Sequence, residues 1–318
     1  MTSLTRSETA RWLLEQDDFL ILTHRRPDGD TLGSAAVLCR GLRQLGKTAH
    51  ILENPEVTEK YLHLHRDLTR AVALGNETLV CVDTAAPALL PENALPLLPH
   101  IGLRIDHHGS ATSFTPMEIV DPTAGATGDI IYDILMELGV TLDKAMAEAL
   151  YTAVSTDTGC FRYANTNAHS YAVASACAQA GGDLHTINQE IFDTNTLARL
   201  RLQGWIVENI RFFRSGKLAV CALPKAVEEQ LGVTEDDLDS ISGFPRSIDG
   251  VKVGVMIRNS EPGKAKMSVR TAPGYNASAY CGRLGGGGHV AAAGAAIPGT
   301  LEDGKAAILQ VLREENVI

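Results

Sequence analysis

Residues 21–30 are ILTHRRPDGD, a hydrophobic run that passes into a histidine and two aspartates. The pattern predicts a buried strand near 18–23 followed by an amphipathic helix near 31–45. A proline and a glycine make the turn between them, and this turn carries Asp28 and Asp30. The stretch therefore predicts a strand that delivers a histidine and two carboxylates to the start of a helix.

Three later segments end a hydrophobic run in the same way. They are LVCVD at 79–83, LRIDHH at 103–108 and AVSTDTG at 153–159. The first two have the pattern of buried strands, and the third has that of a helix end. Ligands of parallel α/β sheets bind beyond the carboxyl ends of the strands, so the four segments predict one shared site.

The arrangement of strand and helix patterns predicts two folded domains. Strands alternate with helices in the first half of the chain, which favours an α/β fold with a doubly wound, mostly parallel sheet. The last hundred residues favour a smaller α+β domain that contains a hairpin of strands near 249–259 and 265–271 and a strand of small residues near 292–297. The predicted boundaries are 1–195 for the first domain, 196–213 for a helical linker and 214–318 for the second domain.

Composition narrows the class of function. The chain has 318 residues, and aromatic residues make up only 5% of them, which argues against a long stacking surface for single-stranded nucleic acid. No apolar run approaches the roughly 20 residues of a membrane span. The six cysteines show no paired spacing and the first residues lack a signal-peptide pattern. We expect reduced cysteines, a cytoplasmic protein and no membrane partner.

Charge is distributed unevenly along the chain. Residues 1–210 carry 15 basic and 26 acidic residues, whereas residues 211–318 carry 13 basic and 12 acidic ones. An acidic first part is consistent with clustered metal ligands, and the second part is better suited to hold phosphate. There is no basic stripe of the kind that binds duplexes, so duplex DNA is not an expected partner.

Carboxylates and imidazoles without thiolates favour a hard or borderline divalent ion, Mn²⁺ before Zn²⁺. Two such ions about 3.5–4 Å apart require a bridging carboxylate, and Asp83, at the end of its own strand, is the natural bridge. Taken singly, Asp30 or Asp157 is more typical of a helix cap or turn. Four acidic segments in one cleft would repel one another without counterions. The candidate metal ligands are His24, Asp28, Asp30, Asp83, His107 and Asp157.

These segments resemble, in order and spacing, the four motifs of the DHH phosphoesterases. The matching residues are His24-x₃-Asp28-Gly29-Asp30, Val82-Asp83-Thr84, Asp106-His107-His108 and Asp157-Thr158-Gly159. A fifth segment, the glycine loop Gly285–His289, resembles the signature of the DHH-associated C-terminal domain. Among subfamilies, the pattern is similar to the bacterial oligoribonuclease (nanoRNase) and pAp phosphatase group.

The resemblance implies two Mn²⁺ ions and a metal-bridging water that attacks the phosphorus. It assigns His24, Asp28 and Asp83 to one ion, and Asp30, Asp83, His107 and Asp157 to the other. It places His108 near the reacting phosphate rather than on a metal. Asp106 would then support the histidines, as metal-bound imidazoles usually require.

Further candidates lie outside the metal motifs. Arg162 follows the last ligand and is a candidate catalytic residue for a substrate phosphate, although a surface salt bridge is an equal alternative. The glycine loop, followed by an expected short helix at 291–294, would cradle a terminal phosphate, whereas a glycine run alone is usually an ordinary turn. The candidate substrate-binding residues are Arg258, Arg270, Gly286, Gly287, Gly288 and His289.

The resulting hypothesis is a Mn²⁺-dependent phosphohydrolase that degrades very short oligoribonucleotides to mononucleotides and converts pAp to AMP. A pApA or cyclic di-AMP phosphodiesterase shares every motif and is the main alternative. An exonuclease of the RecJ type would need further domains, and a family II pyrophosphatase would need an Arg-Lys-Lys signature that the chain lacks. A non-catalytic nucleotide sensor would have lost a ligand. A homodimer is compatible with all of these.

Overall fold

The computed structural model describes residues 2–109, 111–238, 241–261 and 263–317. The chain divides into two compact units, Met1–Thr194 and Asn195–Ile318. The predicted α/β class is confirmed, because the first unit holds a parallel sheet and the second a separate mixed sheet. Among the residues described, no helix is long and apolar enough to cross a membrane.

The first unit contains short strands and longer helices in alternation over its described residues. Its strands are β1 (Thr2–Ser3), β2 (Phe19–Leu22), β3 (Ala49–Leu52), β4 (Thr69–Arg70), β5 (Thr78–Val82), β6 (Ile101–Asp106) and β7 (Met117–Val120). Its α-helices are α1 (Arg6–Glu15), α2 (Gly29–Gln44), α3 (Thr127–Glu137), α4 (Lys144–Asp157), α5 (Ala168–Gln179) and α6 (Leu184–Asn188).

The strands of this unit lie in the order β1-β7-β6-β5-β2-β3-β4, and all their pairings are parallel. All four residues of β2 are buried, as expected of a strand covered on both faces. Because β5 lies between β6 and β2, the three strands that end in acidic segments are neighbours. Their carboxyl ends therefore meet at one edge of the sheet, where a ligand site is expected.

Close packing of α2 against α4 brings the fourth acidic segment to the same edge. A Cβ atom at Gly33 would lie 2.3 Å from the Ala149 carbonyl oxygen, and one at Gly29 would lie 2.5 Å from the Thr156 side chain. Only glycine at these positions lets the two helices approach so closely. Asp157, the last residue of α4, is thereby placed beside the first turn of α2.

The second unit has a mixed sheet in the order β12-β13-β11-β10-β9-β8 over its described residues. Its strands are β8 (Arg211–Phe213), β9 (Leu218–Leu223), β10 (Val253–Glu261), β11 (Lys264–Thr271), β12 (Gly287–Gly288) and β13 (Ala292–Pro298). Its α-helices are α7 (Leu197–Asn209), α8 (Lys225–Leu231), α9 (Glu235–Leu238), α10 (Phe244–Ser247), α11 (Ala277–Gly282) and α12 (Leu301–Glu314).

The expected hairpin is present as the antiparallel pair β10–β11. Two other local predictions for this unit are wrong. The helix predicted over 196–213 ends at Asn209, and the residues from Arg211 to Phe213 form the strand β8 instead. The helix expected at 291–294 is instead the start of β13, because these small residues pair with both β11 and β12.

The helix α7, which was assigned to a linker, belongs to the core of the second unit. Leu202 and Ile206 are fully buried and pack with residues of β9, such as Cys221. All six cysteines are free thiols; five are buried and Cys160 is half-buried.

Candidate metal centre

Asp83 forms a sharp corner directly after β5. Its backbone lies in the left-handed region, with φ of 53°, and its amide donates to the Ile105 carbonyl at 2.8 Å. A non-glycine residue in this region is strained by roughly 1–3 kcal/mol, and such strain is concentrated at functional sites. The corner turns the Asp83 carboxylate, which is 2% exposed, into the cleft at the edge of the sheet.

Two threonine hydroxyls fix the orientation of that carboxylate. Thr31 donates to Oδ2 at 2.6 Å, and Thr127 donates to Oδ1 at 2.9 Å. Each carboxylate oxygen has a second lone pair besides the one used by its threonine. Asp83 is therefore held in one orientation, with a lone pair left on each of its oxygens.

Three imidazoles surround Asp83 at distances too long for hydrogen bonds. His24 Nε2 is 3.7 Å from Oδ2, while His107 Nε2 and His108 Nδ1 are 3.8 and 3.6 Å from Oδ1. The donor atoms form three groups, in each of which all atoms lie within 4.8 Å of one another. The groups are His24–Asp28–Asp83, Asp30–His107–Asp157 and Asp83–His107–His108. The six predicted ligands, here called the acidic cluster, are thus brought together.

The ring orientations of His24 and His107 suit metal binding. His24 Nδ1 lies 2.7 Å from the Arg25 carbonyl oxygen, and His107 Nδ1 lies 3.3 Å from the Ala124 carbonyl oxygen. With a proton on Nδ1 in each case, the ring presents the lone pair of Nε2 to the cleft. Nε2 of His107 is buried and has no hydrogen-bond partner among the described residues. Buried polar atoms usually have a partner, and a metal ion in the cleft would provide one for this nitrogen.

Asp30 is buried where α3 begins. It accepts hydrogen bonds from the Ser34 hydroxyl and from the amides of Thr127 and Gly128, at 2.8–3.1 Å. The first amides of a helix stabilise an anion. Burial nevertheless raises the pKa of Asp30 well above its ordinary value, and the neighbouring carboxylates, Asp83 foremost, raise it further.

Asp157 and Asp28 complete the acidic cluster from two helix ends. Asp28 caps α2 through a hydrogen bond from the Thr31 amide, and its side chain is 58% exposed. Asp157 ends α4 and accepts a hydrogen bond from Asn165 at 2.9 Å. Burial, helped by the charges of Asp83 and Asp28, raises the pKa of Asp157 to about 7, although His107 and His108 act to lower it.

These shifts describe a cluster with too much negative charge for a buried site. Burial lowers the pKa of His24, but the carboxylates of Asp83 and Asp28 raise it to about 9. Divalent cations relieve the repulsion among these carboxylates more strongly than a protonated histidine does, and they bind deprotonated ligands. Oxygen and imidazole donors without thiolates suit Mn²⁺ and similar ions. The residues present therefore fit divalent metal ions.

Asp106 gives the two histidines that follow it different environments. It is fully buried, and its Oδ1 accepts from the amides of His107 and His108 at 2.8 and 3.1 Å. The same oxygen lies 2.8 Å from His108 Nδ1. Burial lowers the pKa of His108, but Asp106 and Asp83 raise it to about 9. His108 is thus tied to Asp106 through Nδ1, while His107 turns Nε2 toward the acidic cluster.

Arg162 is not brought into the acidic cluster by any hydrogen bond or ion pair of the described residues. Its side chain is exposed, and its Nε donates to the Gly159 carbonyl at 2.6 Å. It lies just after a left-handed turn in which Gly159, Cys160 and Phe161 have φ of 56–61°. The expected surface salt bridge is not seen either within the described part of the chain.

In the second unit, the structure places Arg270 near the glycine loop but not Arg258. Arg270 pairs in register with Ala292, whose amide and carbonyl bond to the backbone of His289. Arg258 lies on β10 four residues beyond the register partner of Arg270, roughly 13 Å along the strand. It forms an ion pair with the buried carboxylate of Glu228 at 2.8 Å. The predicted grouping of both arginines with the loop is therefore wrong for Arg258.

The glycine loop is an edge strand as well as a turn. Gly287 and Gly288 form β12 and pair with β13. A Cβ atom at Gly286 would lie 2.1 Å from the Gly294 carbonyl oxygen, and one at Gly288 would lie 2.6 Å from that of Ala292. No heavy atom lies near the corresponding position of Gly287, and His289 is exposed. Two of the three candidate glycines are thus required by the approach of β12 to β13.

The polar residues that orient the ligands were not predicted from the sequence. Thr31, Ser34, Thr127 and Asn165 each donate to a carboxylate of the acidic cluster. Ser34 lies four residues after Asp30, so helical spacing would have indicated its contact with that carboxylate, whereas Thr31 reaches Asp83 across 52 residues. Thr127 reaches Asp83 across 44 residues, and no local signal predicts that contact.

A parallel sheet whose carboxyl edge carries clustered acids and histidines, followed by a mixed-sheet unit, defines a two-unit α/β protein with a candidate metal centre. Residues 18–154 match the DHH family, N-terminal domain, and residues 216–316 match the DHHA1 domain. The chain belongs to the DHH family.

Two curated relatives align with nearly the whole chain. The "bifunctional oligoribonuclease and PAP phosphatase NrnA" of Thermus thermophilus is 33% identical over 93% of this chain and 89% of its own length. The protein of that name in Bacillus subtilis is 26% identical, over 92% of this chain and 93% of its own length. A crystal structure of an exopolyphosphatase-related protein from Bacteroides fragilis has the same fold, with a TM-score of 0.83 and 23% identity. The alignment covers 97% of this chain and 95% of the Bacteroides fragilis chain.

Proposed function

We propose that the chain is a Mn²⁺-dependent phosphohydrolase that degrades very short oligoribonucleotides to mononucleotides and dephosphorylates pAp. The observation that carries the proposal is Asp83, a strained, buried carboxylate held by two hydroxyls and surrounded by three imidazoles at 3.6–3.8 Å. The names of the two relatives that align along nearly the whole chain supply the substrate class.

In this proposal the acidic cluster holds two ions that share Asp83. His24 and Asp28 complete one set of ligands; Asp30, His107 and Asp157 complete the other, in agreement with two of the three donor groups. When bound, the ions supply Lewis acidity that neutralises the phosphoryl oxygens and makes water more acidic. Thr31, Thr127 and Asn165 keep the carboxylates in the orientations that binding requires.

His108 acts on the substrate rather than on a metal. Asp106 holds its Nδ1 at 2.8 Å and, against the effect of burial, favours the protonated ring by raising its pKa. A protonated imidazole can donate from Nε2 to a phosphoryl oxygen or to the leaving oxygen. Positioned proton donors of this kind contribute typically about 10²–10⁴-fold to a rate.

The second unit contributes binding rather than chemistry. Its charge is nearly balanced, with 13 basic and 12 acidic residues from 211 onward, in contrast to the acidic first part of the chain. Arg270 and His289 are its candidates for the distal nucleotide of the substrate. Few phosphate contacts are needed for a substrate of a few nucleotides, which agrees with the lack of a basic stripe.

The test is a Mn²⁺ assay of the purified protein against pAp, pApA, short RNA oligomers and cyclic di-AMP, with pyrophosphate and duplex DNA as controls. We expect mononucleotides from the oligomers, AMP from pAp, and no hydrolysis of either control. Activity should vanish with a chelator and return with Mn²⁺. Efficient hydrolysis of cyclic di-AMP with slow turnover of pAp and RNA oligomers would replace this proposal by the phosphodiesterase alternative.

A further inference from the structure

Arg104 is an arginine with almost no solvent exposure in the middle of the first sheet. It lies on β6, two residues before Asp106, and is 1% exposed. A buried guanidinium is strongly unfavourable unless its charge and its donors are matched by partners. The partners of Arg104 therefore indicate what this residue is retained for.

One set of partners is anionic. Its Nη2 donates to Glu118 on β7 at 2.7 Å, and the two residues are register partners in the parallel sheet. Its Nη1 lies 3.5 Å from Oδ2 of Asp106. That Asp106 oxygen is buried and has no hydrogen-bond partner among the described residues, so Arg104 supplies the positive charge that compensates it. The second oxygen of Glu118 is held by Ser113 at 2.7 Å.

The other set of partners consists of backbone carbonyls in two loops. Nη1 lies 3.4 Å from the carbonyl oxygens of Thr84 and Ala85, and 3.2 Å from that of Thr112. Thr84 and Ala85 follow the Asp83 corner directly, while Thr112 lies in the loop after His108. The Thr112 amide also donates to Ala85 at 2.8 Å, so the two loops are joined at the guanidinium.

We propose that Arg104 is a positioning residue that clamps the two ligand-bearing corners of the sheet together. This inference rests on the proposed metal centre. By compensating Oδ2 of Asp106, Arg104 lets Oδ1 hold the backbone of His107 and the ring of His108. By binding the carbonyls after Asp83, it supports the strained corner from which that carboxylate projects. Loss of Arg104 would therefore loosen His107, His108 and Asp83 at once.

The test compares Arg104→Met with Arg70→Met as a matched control. Arg70 lies on the edge strand β4 and pairs at 3.1 Å with Glu77, whose side chain is 1% exposed, so its loss also removes the ion pair of a shielded carboxylate. For both variants the melting temperature without metal, Mn²⁺ binding by equilibrium dialysis, and kcat and KM for pAp are measured. We expect both to melt at lower temperature than wild type.

Only Arg104→Met should lose function when both are assayed well below their melting temperatures. Perturbing the groups that support metal ligands typically costs about 10–100-fold in metal affinity or activity, and we expect a loss of that size in Mn²⁺ affinity and kcat. KM for pAp should change far less. Arg104→Lys should recover part of the loss, since it keeps a charge beside Asp106 but cannot reach every partner.

Two outcomes would overturn the inference. One is wild-type Mn²⁺ binding and kcat in Arg104→Met. The other is an equal functional loss in Arg70→Met, which would mean that lower stability alone is responsible. If Arg104→Met does not fold, Arg104→Lys and Glu118→Gln carry the same comparison, and unchanged Mn²⁺ affinity in both counts against the clamp. If the wild-type chain hydrolyses no nucleotide, the proposed function fails, whereas the Mn²⁺-binding comparison still decides the role of Arg104.

Discussion

The acidic cluster and the glycine loop were both predicted as ligand sites, and they differ in how their polar groups are satisfied. The acidic cluster contains a strained Asp83 and a buried His107 nitrogen without a hydrogen-bond partner among the described residues. In the glycine loop, Gly286 and Gly288 are explained by the approach of β12 to β13, and His289 is exposed. Unsatisfied buried atoms point to a ligand more strongly than a conspicuous sequence pattern does.

The largest effect should come from replacing Asp83, which is shared by both sets of ligands. Asp83→Ala should abolish hydrolysis of every substrate and reduce bound Mn²⁺ without unfolding the protein. Asp83→Asn is the cleaner variant, because asparagine tolerates the left-handed backbone and its amide oxygen can still accept from one of the two hydroxyls of Thr31 and Thr127, while its amide nitrogen donates to the other. Mass spectrometry measures the bound metal of each variant, and circular dichroism checks that the variant remains folded. Two tightly bound ions with near-normal activity would refute the dinuclear assignment.

His108 provides the next largest effect and a different signature. His108→Ala should lower kcat by about 10²–10⁴-fold while metal content stays near wild type, because its Nδ1 is held by Asp106 rather than by an ion. His169→Ala is a matched control, since His169 also pairs with an aspartate, Asp133, at 3.0 Å in the same unit. The control should keep wild-type kcat. Loss of an ion together with activity in His108→Ala would make His108 a ligand.

Much of the carboxyl edge of the first sheet was predictable, because its candidate ligands directly follow the strands in the sequence. The strands β2, β5 and β6 end at the residues that carry the ligands, and the hydrophobic runs before them reveal both strand and site. The short strands β1, β4 and β7 gave no such signal, since they are defined by their neighbours in the sheet. The contacts of Arg104 with Glu118 and of Thr127 with Asp83 also depend on tertiary packing.

The glycine loop allows a comparison between two adjacent glycines. A Cβ at Gly286 would collide with backbone atoms of β13, whereas one at Gly287 would meet nothing within 4 Å. We expect Gly286→Ala to destabilise the second unit by about 1–3 kcal/mol, as overpacking usually does. Gly287→Ala should leave stability nearly unchanged. Denaturant unfolding followed by the fluorescence of Trp205 in α7 measures this, and equal stability of the two variants would contradict a structural role for Gly286.

The smallest effect should distinguish binding from structure in the second unit. Arg270 lies beside the turn at His289, and its Nη2 is 3.0 Å from the Ser242 hydroxyl, whereas Arg258 is committed to Glu228. If Arg270 and His289 hold the distal nucleotide, Arg270→Ala and His289→Ala should raise KM for pAp and short oligonucleotides. A charged hydrogen bond is worth about 1.5–3 kcal/mol, so about a tenfold rise or somewhat more is expected for Arg270.

A small generic phosphodiester should be hydrolysed by both variants much as by wild type, because distal contacts help only a substrate that is long enough to use them. Arg258→Ala is the control within the same sheet. It leaves the Glu228 carboxylate, 1% exposed, without its arginine, so it should lower stability more than it changes KM. A rise in KM with Arg258→Ala equal to that with Arg270→Ala would mean that the hairpin acts through its fold. Equal losses on both kinds of substrate would exclude distal binding by Arg270 and His289.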